Sequence, residues 1–205
     1  MLQSLRLRSV AIPLTALALG IASVAGAQPK GKAKGTTKAA TTHPAGHFTV
    51  KSSDLVAKGR IAPSHVYNGM GCNGQNVSPA LEWSGAPAGT KSFAVTMYDP
   101  DAPTGSGWWH WMVYNIPATT TSLTAGAGNG RNAPSGSVEG PTDFGKKEYG
   151  GPCPPAGKPH HYHITVFALK TDKLNVPGDA TSAFVGYNLN ANKIATARIT
   201  GLYAR

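Results

Sequence analysis

Apolar residues fall in alternating runs along the second half of this chain, and their spacing predicts strands. Phe93, Val95 and Met97 alternate with Ala94, Thr96 and Tyr98, a strand with both faces largely apolar. Pro100 ends it, because proline cannot donate to a β-ladder. A second run, Trp109 to Ile116, is again apolar on both faces and closes at Pro117. Alternation puts His110 there on one face with Met112, Tyr114 and Ile116. A third strand spans Tyr162 to Leu169, with Ile164, Val166 and Ala168 on one face and Phe167 and Leu169 on the other. A fourth spans Ile194 to Tyr203, with a break expected at Gly201. Only the stretch from Asp179, an expected N-cap, through Ala180, Phe184 and Leu189 towards Asn192 reads as a helix.

Long Gly-, Pro-, Asn- and Ser-rich loops join these elements. The longest, Ala118 to Pro159, either carries function or hides short strands. The pattern predicts a mainly β domain from His47 to Arg205, large enough for its own core. There are no heptads or internal repeats.

The start of the chain follows different rules. Arg6 and Arg8 precede an apolar stretch from Val10 to Val24, and Ala25-Gly26-Ala27 supplies small residues for a signal peptidase. We expect residues 1–27 to be a signal peptide cleaved after Ala27. The apolar run is short for a spanning helix, so no integral membrane segment is expected, and the mature protein would be periplasmic or secreted. The formal charge of the full chain is +10. Removing the leader leaves +8, and setting aside Lys30, Lys32, Lys34 and Lys38 leaves only +4. Those lysines lie in residues 28–46, a Gly-, Ala- and Thr-rich segment with no apolar period, expected to be a disordered linker. A solvated linker is the plainer reading than a contact with anionic lipid, wall polymer or nucleic acid. No nucleic-acid partner is expected.

Candidate chemistry lies in three segments. Asp99-Pro100-Asp101-Ala102-Pro103 holds two carboxylates on a stiff loop at a strand end. His110 lies just beyond, at the start of the next strand. If the two strands are antiparallel neighbours, a carboxylate comes near the imidazole and orients it. The third segment is Gly150-Gly151-Pro152-Cys153-Pro154-Pro155, followed by His160-His161-Tyr162-His163. Alternation puts His160 and Tyr162 on one face and His161 and His163 on the other. Donors beside a loop with available backbone N–H groups suit an oxyanion. The histidines and aspartates match no closed zinc spacing, so no metal and no cofactor are expected. Cys72 and Cys153 are the only cysteines. In an exported chain they are either bridged or two free thiols.

Taken together, these segments resemble the phosphatidylethanolamine-binding protein family, in its bacterial Raf-kinase-inhibitor-like branch. The matching text is Asp99-Pro100-Asp101-Ala102-Pro103 and Gly105-Ser106-Gly107-Trp108-Trp109-His110-Trp111. Further matches are Asn68-Gly69-Met70-Gly71, Asn76-Val77-Ser78-Pro79, the turn leading to His160-His161-Tyr162, and Ile199-Thr200-Gly201-Leu202-Tyr203. The resemblance implies a β-sandwich with a Greek-key large antiparallel sheet, a smaller sheet and one or two short helices. It also implies a cavity for phosphate, phosphoryl headgroups or similar anions, lined by Asp99, Asp101, His110, Gly151, Pro152, His160 and Tyr162. A homodimer is implied as well. Relatives inhibit kinases or peptidases, so a protein target of that kind is a further expectation. A Cys72–Cys153 bridge would then brace the cavity mouth.

The function expected is therefore non-enzymatic binding of a small anion. The alternative is a phosphoester hydrolase using the Asp, His and Tyr groups. Against it, the chain has no Gly-x-Ser-x-Gly elbow, and Tyr162 is the one nucleophile near the site.

Overall fold

The computed structural model describes residues 47–205. The expected leader and linker lie outside the described residues. The strands are β1 (Thr49–Lys51), β2 (Asn68–Gly69), β3 (Cys72–Asn73), β4 (Leu81–Ser84), β5 (Ser92–Asp99), β6 (Trp108–Pro117), β7 (Ser122–Leu123), β8 (Val138–Glu139) and β9 (His160–Leu169). Helix α1 (Ser182–Asn192) and strand β10 (Lys193–Tyr203) follow. The large sheet runs β10-β9-β5-β6-β8, a small sheet runs β1-β4-β7, and β2 pairs with β3. Every pairing of these strands is antiparallel. The order β9-β5-β6-β8 is a Greek key: three strands pair in succession and the fourth returns beside the first.

The two apolar faces of the central strands explain the layers. Phe93, Val95, Met97, Ile164, Val166 and Ala168 pack towards the small sheet, against Leu81, Trp83 and Leu123. Ala94, Phe167 and Leu169 face the other way and receive Val185 and Leu189 of α1. Both faces of β5 are thus covered, in keeping with the burial of every residue from Ser92 to Met97. Among the described residues no helix is long and apolar enough to cross a membrane.

Three details differ from the pattern-based expectation. First, β6 does not alternate evenly. Its register against β5 shifts between Tyr98↔Trp109 and Met97↔Trp111, and again between Phe93↔Ile116 and Val95↔Val113. The second shift contains Asn115, whose φ is +59°. These β-bulges turn side chains to new faces. Met112 and Tyr114 pack with α1, whereas His110 stacks edge-on against Tyr162, whose ring lies in the opposite core. His110 therefore does not share a face with Met112 and Tyr114. Second, β10 continues through Gly201, which pairs with Tyr162. A side chain at 201 would collide with Ile61, so this glycine permits close packing rather than breaking the strand. Third, Thr181 rather than Asp179 caps α1, its hydroxyl accepting from the Phe184 N–H at 3.2 Å. The Ala118–Pro159 segment does contain short strands, β7 and β8, along with a 3-10 turn at Ala127–Asn129.

Glu139 at the end of β8 is an unusual tenant. Both its carboxylate oxygens are buried without a well-formed hydrogen bond among the described residues. Burial pushes its pKa up to about 7, eased by the nearby Trp111 indole and reinforced by Glu148.

Candidate functional site

The Greek key brings three strand ends to one edge of the large sheet. β5 finishes at Asp99, which pairs with Trp108 at the start of β6. β9 begins at His160, and Tyr98 pairs with His163. Asp99 and His160, 61 positions apart, thereby become neighbours.

Asp99 and Asp101 divide the work of holding β9. Asp99 is buried, and its Oδ2 accepts from His160 Nδ1 at 2.8 Å. Its Oδ1 accepts from the Asp101 N–H at 2.8 Å, a local turn that locks the carboxylate. Asp101 instead points outward. Its Oδ2 accepts from the His161 N–H at 2.7 Å and from His161 Nδ1 at 2.8 Å. These bonds, the backbone one foremost, hold the Asp101 carboxyl below its ordinary pKa. The Pro100 spacer thus directs two carboxylates to successive residues of one strand.

His110 is buried beneath the loop at Gly150. Its Nδ1 donates to the Gly150 carbonyl at 2.7 Å, and the Gly150 N–H returns a bond to the His110 carbonyl at 2.8 Å. Burial lowers the imidazole pKa to about 4, although the Gly150 carbonyl and Asp99 oppose this. The ring is therefore neutral near pH 7. Tyr162 is fully buried beside it, and its hydroxyl lies near the Asp99 carboxylate without a well-formed hydrogen bond among the described residues. Burial first, and the Asp99 carboxylate next, push the phenol pKa far above its usual value.

These four side chains line a cavity of about 160 Å³. Trp108 and Phe144 form apolar walls, and the loop residues Cys153, Pro154 and Pro155 form another. Met70, 66 % exposed, stands at the rim with φ +52°, a conformation costly for a non-glycine residue. The Trp108 indole N–H is also buried without a partner. Cys72 and Cys153 are bonded, with Cα atoms 6.0 Å apart. The bridge ties the β2–β3 hairpin to the 150–155 loop at the cavity edge.

Of the seven residues expected in the cavity, the structure brings Asp99, His110, His160 and Tyr162 together on its wall. Asp101, Gly151 and Pro152 are not on that wall. The Gly151 N–H, expected to meet an anion, donates instead to Asn76 Oδ1 at 2.7 Å. The Pro152 carbonyl accepts from the Tyr67 N–H at 3.1 Å. Gly151 serves as a point of close approach, since a Cβ there would overlap the His65 carbonyl oxygen and the chain beyond it. Asn76 completes this seam, its Nδ2 donating to the Tyr149 carbonyl at 3.1 Å. Sequence reasoning did not single out Trp108, Phe144 or Met70. Trp108 and Met70 lie inside the Gly105–Trp111 and Asn68–Gly71 motifs, but nothing in residue type alone marks an apolar cavity wall.

A Greek-key β-sandwich whose sheet edge carries a buried Asp–His pair, a second histidine and a buried tyrosine defines a class of small β domains with a partly polar cavity at one sheet edge. Comparison with known proteins narrows that class. The family model described as phosphatidylethanolamine-binding protein matches residues 51–204. The UPF0098 protein YbcL of Escherichia coli K12 is 58 % identical over 159 residues, covering 76 % of this chain and 87 % of YbcL. YbhB of the same organism is 49 % identical over 154 residues, covering 75 % of this chain and 98 % of YbhB. The crystal structure of E. coli YbcL, described as a new member of the mammalian PEBP family, superposes with a TM-score of 0.75 at 57 % identity, covering 77 % of this chain and 98 % of that one. A Mycobacterium tuberculosis H37Rv protein described as a putative lipoprotein, LppC, is 34 % identical over 172 residues, or 83 % of this chain and 80 % of LppC. This chain belongs to the phosphatidylethanolamine-binding protein family.

Proposed function

We propose that this protein is an exported, non-enzymatic binding protein whose cavity takes a small phosphate, phosphoryl or carboxylate group. The observation that carries the reading is the convergence of the Asp99–His160 pair, His110 and the unpartnered Tyr162 hydroxyl in one otherwise apolar cavity. A buried hydroxyl without a partner is costly, and a ligand oxygen would satisfy it. The N–H of the wall residue Trp108 is likewise buried without a partner among the described residues. The walls favour an oxyanion attached to an apolar or aromatic group over a bare ion. The family's name makes a phosphorylated headgroup the first probe.

Two observations favour binding over hydrolysis. The Tyr162 phenol is held far above neutrality, so a tyrosinate nucleophile is inaccessible. His110 Nδ1 is bonded to a backbone carbonyl rather than to a carboxylate that would raise its basicity. Export is supported by the Cys72–Cys153 bridge, which persists in oxidising compartments, and by similarity to a protein described as a lipoprotein. A protein target would be engaged around the rim, where Met70 is exposed.

The test is titration calorimetry of the protein with phosphoethanolamine and phenyl phosphate. We expect saturable binding that weakens by at least tenfold in Tyr162→Phe and strengthens as pH falls from 8 to 5. Affinity that is flat over that range, or turnover of the phosphoester lost in His110→Ala, would replace this reading.

A further inference from the structure

The cavity has an unusual balance of charges for an anion site. None of its lining residues is a lysine or arginine. It contains a buried carboxylate, Asp99, whose two oxygens are engaged by His160 Nδ1 and the Asp101 N–H. The groups facing His110 are the Gly150 and Gly151 backbone, Asp99 with its partner His160, Asp143, and the Phe144 and Tyr162 rings. Neither lysine nor arginine is among them, and two are carboxylates.

The tautomer of His110 follows from its partner. A carbonyl oxygen accepts only, so Nδ1 carries the proton. The neutral ring then has a lone pair on Nε2. The ring's bond to the Gly150 carbonyl is made at Nδ1, and the ring lines the cavity. The polar end therefore presents an acceptor at His110 Nε2 together with the neighbouring Tyr162 hydroxyl. A fully ionised oxyanion placed there sets lone pair against lone pair, next to a carboxylate. An oxyacid that still holds a proton donates it to Nε2 and accepts from Tyr162.

Resting on the anion reading above, we infer that the cavity selects oxyacids that enter with a proton, with His110 as the acceptor that enforces the choice. Phosphate monoesters and carboxylic acids qualify. Sulfate esters and sulfonates of the same shape do not, because their oxygens hold no proton near neutral pH. A phosphate monoester has its second pKa at about 6, so it supplies the proton at small cost. Putting the proton on His110 instead works against the burial of its ring.

The comparison that decides this is phenyl phosphate against phenyl sulfate, both titrated into the intact protein by calorimetry at pH 7. We expect phenyl phosphate to bind at least tenfold more tightly. Titrations at pH 7.5 in buffers of different ionisation enthalpy should report uptake of close to one proton per phosphate ester bound. Nitrogen-15 spectra of the complex should keep His110 in its neutral, Nδ1-protonated form. Equal affinity for the two esters would overturn the inference while leaving an anion cavity in place. An imidazolium spectrum for His110 would overturn its role as acceptor. Failure of both esters to bind would overturn the anion reading and this inference with it. In His110→Asn, whose amide can donate, the preference should fall to within about threefold. A folded variant that keeps the full preference would remove His110 from the explanation. The comparison on the native chain decides the inference even if that variant does not fold.

Discussion

The smallest informative unit in this protein is the pair of aspartates flanking Pro100. Both carboxylates bond to β9, yet only Asp99 reaches the cavity. Their substitutions should therefore separate. Asp99→Asn replaces a charge-assisted bond to His160 with a neutral one, and the affinity for phenyl phosphate should fall about tenfold or more. Asp101→Asn loosens His161, which is half-exposed, and should change affinity by less than about threefold. Calorimetry on the two variants checks the contrast, and equal losses would mean that Asp101 acts on the ligand. Strand alternation alone was enough to choose His160 and Tyr162 over their neighbours, because β9 is regular. It failed at His110, because a bulge in β6 resets the period, and no residue type in the Trp108–Met112 run announces a bulge. For Gly151 the sequence shows a glycine but not its neighbour. Its role depends on how close the His65–Tyr67 backbone comes, which is a tertiary fact.

Among the elements, the long strands were legible and the short ones were not. β5, β6, β9 and β10 each carry enough apolar residues to reveal their period. The two- and three-residue strands of the small sheet and of the β2–β3 hairpin carry too few. That hairpin nevertheless reaches the cavity rim through Met70. The Cys72–Cys153 bridge ties it to the 150–155 loop, across a sequence separation of 81 residues. A closed loop of this length stabilises by about 4 kcal/mol in the chain-entropy account, and measured effects are usually about 2–4 kcal/mol. The double substitution Cys72→Ser, Cys153→Ser should lower stability by about that amount in urea unfolding. Affinity should drop as well, because Met70 and Pro154 then lose their fixed spacing across the mouth. A variant that loses stability but retains full affinity would assign the bridge to the fold alone.

At the scale of the whole molecule, α1, the large sheet and the small sheet form successive layers, and nearly every central side chain is apolar. Among the ionisable groups that depart from that rule, Glu139 on β8 and His110 on β6 lie on neighbouring strands, and burial shifts them in opposite directions. His110 titrates near pH 4 in the folded protein against 6.5 for an ordinary histidine. The unfolded chain binds its proton first, so this group removes stability as pH falls from 6.5 towards 4. Glu139 titrates near 7 against an ordinary 4.5. The folded chain holds that proton longer, so this group removes stability as pH rises from 4.5 towards 7. Each shift corresponds to about 3 kcal/mol at full extent, and across the shared window they oppose one another. The native protein should therefore show a nearly level melting temperature between pH 4.5 and 6.5. Glu139→Gln should expose a curve that climbs with pH by up to about 3 kcal/mol, measured by thermal unfolding across the same range. A variant curve as flat as the native one would show that Glu139 contributes no such slope. Two buried groups with opposite proton appetites give this fold a built-in tolerance, with its stability insulated from the acidity of the medium.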